Sequence, residues 1–171
     1  MLVNINHNLA VCGLADIIEE QDFADMKFTV HIQCVDGFPE WLGKYSKIIR
    51  SVFDDCQPIP PGVFLKVEEL LTSDGSDNRK LLISCALGES RSVSLAIYCL
   101  CLTEGLGFVD SCREVFSKVP RAYPHPQVLV SVAERLKYKP SFQLLRELYS
   151  TQELLIVFPW EDDEIFEVVG D

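Results

Sequence analysis

Apolar residues in this chain repeat with two periods, and stretches of one alternate with stretches of the other. Residues 28–35 (Phe-Thr-Val-His-Ile-Gln-Cys-Val) alternate with period two and are rich in β-formers, which predicts a central strand. Ile5, Leu9, Val11 and Gly13, with polar residues between, predict an edge strand within residues 1–14. Residues 47–53 predict another short strand. The apolar run 81–83, just ahead of a loop containing Gly88, predicts a buried one. Helical stripes fill the intervals. Residues 16–26 suit a short acidic helix, and Phe64, Val67 and Leu71 share one face of a helix over 62–72. Val109, Cys112, Phe116 and Val119 form a second stripe, Leu129, Val132 and Leu136 a third, and Phe142, Leu145 and Leu148 a fourth. Residues 91–102 differ from these, because Val93, Leu95, Ala96, Ile97, Tyr98, Leu100 and Leu102 leave no polar face. A helix apolar all round must be covered on several sides, which places it at the centre. Strand and helix patterns in alternation over 171 residues predict a single α/β domain with a mixed central sheet flanked by helices.

Charge changes that picture at one end. The net charge is −11, and residues 151–171 carry Glu153, Glu161, Asp162, Asp163, Glu164, Glu167 and Asp171 with no Lys or Arg. That extension holds −7, and residues 1–150 the remaining −4. It also contains two β-prone runs, 154–158 and 165–169, expected to pack back on the domain as an appended strand or hairpin. An acidic body with an acidic tail argues against nucleic acid and anionic membrane surfaces as partners. Seven cysteines, an odd number without a Cys-x-x-Cys pair, sit mainly in apolar stretches, as expected of reduced thiols in the cytoplasm. No basic leader opens the chain, and no apolar run approaches the roughly 18–20 residues a membrane span needs. His31 has no second His or Cys at ligand spacing, so it reads as a core or strand-face residue, and no metal or cofactor is implied.

Between the buried strand and the central helix lies Ser84-Cys85-Ala86-Leu87-Gly88-Glu89-Ser90-Arg91-Ser92. The amides of a tight loop at a helix N-terminus converge on a point, and the helix dipole adds positive potential there. The backbone of Ala86, Leu87, Gly88, Glu89, Ser90 and Arg91 is therefore a candidate phosphate cradle. Gly88 supplies the turn, and Arg91 a planar fork for two oxygens. Cys85 opens the loop in the same field, which favours its thiolate and makes it a nucleophile aimed at phosphorus.

Cys85-x5-Arg91-Ser92 in this setting resembles the signature of the cysteine-dependent protein tyrosine phosphatases, specifically the small dual-specificity group. Further landmarks follow in order over roughly residues 4–149: the strand 28–35, Asp54 with Phe64, the loop, and Arg121 with Pro126-Gln127. The resemblance implies that Cys85 attacks phosphorus, Arg91 holds the phosphoryl group, Ser92 assists the departing thiolate, and an Asp protonates the leaving oxygen. Asp54 and Asp55 lie 31 and 30 residues before Cys85; Asp54, ten before Phe64, is preferred, with Asp55 the alternative. Two positions depart from the pattern: Ser84 stands where the family has His, and Gln127 where it has Asn. Glu89, if it faces the loop, raises the Cys85 pKa and repels phosphate. The implied substrates are phosphoproteins, phosphotyrosine first and phosphoserine or phosphothreonine after it. The competing reading is a weakly active or inactive phosphatase-fold module that binds phosphorylated partners.

Overall fold

The computed structural model describes residues 2–17, 19–73 and 78–149. A short strand β1 (Val3–Asn4) turns back into β2 (Leu9–Gly13), and helix α1 (Glu20–Met26) leads to β3 (Val30–Gln33) and β4 (Lys47–Arg50). Helix α2 (Pro61–Thr72) precedes β5 (Leu81–Cys85), and α3 (Arg91–Thr103), α4 (Phe108–Lys118), α5 (Pro126–Arg135) and α6 (Phe142–Leu148) complete the chain. Pro61 and Pro126 occupy the first positions of α2 and α5, where a missing N–H costs nothing and the fixed φ suits a helix start.

The sheet order is β1-β2-β5-β3-β4, with β1 antiparallel to β2 and the other pairs parallel. Successive side chains point to opposite faces. Leu9, Val11, Val30, Ile32, Leu81, Ile83 and Cys85 therefore join a large core with Val63, Leu95, Val115, Leu129 and Leu145 from helices α2 to α6. Ala10, Cys12 and Leu82 face the other way, onto Phe23 of α1, Phe28 and Leu42. Helix α3 touches β2, β5, α2, α4 and α5, and every residue from Ser92 to Leu100 is buried.

The structure corrects four expectations. The strand at 9–13 is interior, because Ala10 and Cys12, too small to read as apolar marks, bury its second face; the edge beside it is β1. The strand expected over 28–35 is limited to β3, although it does lie centrally, between β5 and β4. The strand expected over 47–53 ends at Arg50, which frees the Phe53 carbonyl for another partner. Leu102 is 42% exposed, because α3 runs past the end of its neighbours in its last turn. The extension 151–171 and its two β-prone runs lie outside the described residues. No helix among the described residues is long and apolar enough to cross a membrane.

Candidate active site

All four parallel strands deliver their C-terminal ends to one edge of the sheet, and β5 does so between β2 and β3. Ligands of open α/β sheets bind at such an edge. Cys85, the last residue of β5, is 2% exposed. Its Sγ accepts the Gly88 N–H at 3.2 Å and lies 3.2 Å from the Ser92 Oγ in the first turn of α3. The loop doubles back tightly enough for the amide three residues on to reach the sulfur. That turn requires Gly88, whose φ is +75°, and a Cβ there would come 2.6 Å from the Gly13 nitrogen.

The loop is tied to the strand ends on both sides. Leu14 N–H donates to the Ala86 carbonyl at 3.0 Å, and Gly13 lies so close that a Cβ would sit 2.8 Å from the Leu87 carbonyl group. Asp16 Oδ2 accepts both the Gly13 N–H and the Arg121 guanidinium at 2.6 Å, and Arg121 also lies against Gly88. Tyr123 N–H donates to the Glu89 carbonyl, and His125 N–H to the Ser90 Oγ, both at 2.9 Å. Asp16, Tyr123 and His125 were not singled out as loop partners in the sequence. No pattern marks them, because they reach the loop only through the fold.

Arg91 donates from one terminal nitrogen to the Phe53 carbonyl at 3.0 Å. Its Nε is buried with no hydrogen-bond partner among the described residues, 3.7 Å from Asp55 Oδ1. The guanidinium thus lies between the Phe53 carbonyl and the Asp55 carboxylate. Asp55 also accepts from the Ser90 hydroxyl. Asp54, the preferred acid on spacing to Phe64, is exposed and has no hydrogen bond or ion pair among the described residues. The structure thus brings Asp55 to the loop and leaves Asp54 outside it: beyond β4, Ser51 and Phe53 are buried, Val52 and Asp54 are exposed, and Asp55 begins a turn. Phe64, the spacing mark for that choice, is buried against the Tyr98 ring at 4.8 Å.

Ala86 and Leu87 are exposed at the loop tip, Gly88 and Ser90 are buried, and Glu89 is half-buried with no cation partner among the described residues. Ser84 is fully buried, and its Oγ lies 2.5 Å from His31 Nε2 on β3. Gln127, in the first turn of α5, has its Oε1 buried with no hydrogen-bond partner among the described residues. Burial, reinforced by the Cys85 sulfur, lifts Cys34 well above the ordinary thiol range, and burial raises Cys99 to about 12.

No protein-family model and no curated protein matches the sequence. Solved structures do match the fold. DUSP15 superposes with a TM-score of 0.67 at 20% identity, over 86% of this chain and 94% of that one. Tk-PTP in its active form gives 0.65 at 19% identity, over 80% and 95%. A human tyrosine phosphatase-like serine/threonine/tyrosine-interacting protein gives 0.60 at 15% identity, also over 80% and 95%. The chain has the small dual-specificity phosphatase fold. The single α/β domain, with its five-stranded mixed sheet and helices, is that of this fold, as the resemblance led one to expect.

Proposed function

We propose that this chain is a cysteine-dependent phosphatase acting on phosphoproteins in the cytoplasm, phosphotyrosine first. The observation that carries the reading is the surround of Cys85. A loop N–H and a helix hydroxyl bracket its sulfur, while Arg91, which closes the loop, holds its buried Nε 3.7 Å from the Asp55 carboxylate. All seven cysteines are free thiols, in keeping with a reducing compartment.

In this reading the phosphoryl oxygens sit on the loop amides of residues 86–91 and on Arg91. Donors placed in advance where charge develops supply the largest part of the rate. Cys85 Sγ forms the S–P bond as the P–O bond to the leaving group breaks, and a carboxylic acid protonates the departing oxygen. Asp55 is assigned that proton, because it already borders Arg91 and Ser90. Water then attacks the phospho-cysteine, its proton taken by the same carboxylate, and Ser92 donates to the thiolate as it leaves. The test compares the wild type with Cys85→Ser on an aryl phosphate: the wild type turns over and the variant does not, although it still binds vanadate. A Cys85→Ser variant as fast as wild type overturns the mechanism.

A second reading has its own support. Glu89 places a carboxylate in the proposed phosphate loop with no cation partner among the described residues, and one of the similar structures is named as phosphatase-like and interacting rather than as a phosphatase. A wild type that binds a phosphotyrosine peptide without turnover, and gains turnover with Glu89→Gln, favours this binding module.

A further inference from the structure

Directly behind the nucleophile, on the opposite face of β5, lies a buried polar pair, with the Gln33 amide beside it. His31 and Ser84 are both 0% exposed, and His31 Nε2 is 2.5 Å from Ser84 Oγ. The imidazole lies between the rings of Phe23, at 6.0 Å, and Phe38, at 5.2 Å, and no carboxylate among the described residues pairs with it. Burial therefore pushes its pKa down to about 4, and the ring is neutral near pH 7. A neutral imidazole has one N–H. The Gln33 amide nitrogen, a donor only, lies 3.5 Å from Nδ1, which makes Nδ1 the acceptor and assigns the proton to Nε2. The His31 N–H thus donates to Ser84. From the other side, Cys34 N–H donates to the Ser84 carbonyl at 2.8 Å, so β3 grips Ser84 through its side chain and its backbone together.

An apolar pair would fill this layer without any polar group to satisfy. A buried hydrogen bond at the residue preceding Cys85 does something an apolar pair cannot, which is to fix a direction. We propose that His31 is a positioning residue: by holding Ser84 it sets the angle at which Cys85 leaves β5, and so keeps Sγ between the Gly88 N–H and the Ser92 hydroxyl. The inference rests on Cys85 being the reactive group, and its test needs no turnover.

The experiment measures the rate at which iodoacetamide alkylates Cys85 at neutral pH, followed by mass spectrometry of the Cys85 peptide. His31→Leu removes the donor, and the rate falls on the order of tenfold, the worth of one ordinary hydrogen bond. His31→Gln places an amide N–H near the former Nε2 and restores the rate. The double variant His31→Leu/Ser84→Ala also removes the Ser84 hydroxyl that the single variant leaves unpaired, so it folds better than His31→Leu, and it alkylates as slowly as the single variant. A folded double variant that reacts at the wild-type rate overturns the proposal, as does a His31→Gln variant that is as slow as His31→Leu. If the wild type shows no phosphatase activity while this pattern holds, the positioning role stands and the assigned reaction falls.

Discussion

At the scale of single residues, the sharpest division is between two adjacent aspartates. Asp55 touches Ser90 and lies beside Arg91, whereas Asp54 makes no such contact. With a poor leaving group, Asp55→Asn is expected to lower turnover by on the order of 10²–10⁴, the usual worth of a general acid, and Asp54→Asn to change it only a fewfold. Steady-state rates on phenyl phosphate decide it, and the opposite ranking would return the role to Asp54. His31 gives a second prediction, in stability. Its pKa is about 4 folded against an ordinary 6.5 unfolded, so between those pH values the unfolded chain holds a proton that the folded one refuses. Stability is unaffected above pH 6.5 and falls as pH drops through that window, by up to about 3 kcal/mol from this residue. Urea unfolding at pH 7 and near pH 4 should show a smaller acid loss for His31→Gln than for wild type.

At the scale of elements, the loop is shaped by how closely it packs on the end of β2. A Cβ at Gly88 would meet the Gly13 nitrogen at 2.6 Å and the Cys12 carbonyl carbon at 2.7 Å, in backbone that already disfavours a side chain. Gly88→Ala and Gly13→Ala should therefore each displace the loop, weaken vanadate binding tenfold or more and lower the melting temperature. Gly62→Ala, at an open helical position, should leave both unchanged or stabilise slightly. Calorimetry with vanadate titration separates these outcomes. The strand–loop–helix unit was legible because Cys85, Gly88 and Arg91 are adjacent in sequence and the apolar run of α3 has no polar face. The place of 9–13 in the sheet was not, since Ala10 and Cys12 carry little hydrophobic signal yet bury a whole strand face. The partnership of His31 with Ser84 was equally hidden. It spans 53 residues and exists only because β3 and β5 are neighbours in register. Spacing alone could not show which of Asp54 and Asp55 borders the loop, because adjacent residues there face different surroundings.

At the scale of the whole molecule, the chain carries a net charge of −11, of which residues 1–150 hold −4, while the proposed site takes an anion. Local donors supply the affinity, while the distant field opposes approach, and salt screens the second more than the first, with a Debye length of about 8 Å at 0.15 M. KM for a phosphotyrosine peptide with acidic flanks should fall as salt is raised from about 0.01 to about 0.15 M, and KM for one with basic flanks should rise. The same trend for both peptides would show that the charge of the body does not reach the site. The central claim is that Cys85 takes the phosphoryl group onto its sulfur, and the most direct measurement is to stop the reaction there. Asp55→Asn should slow hydrolysis of the intermediate enough for acid quenching of a reaction with an aryl phosphate to capture it. Mass spectrometry of the digested protein should then find phosphate on the Cys85 peptide, and none when Cys85→Ser is added. Turnover by wild type with no adduct on Cys85, or an adduct that survives Cys85→Ser, would contradict the account.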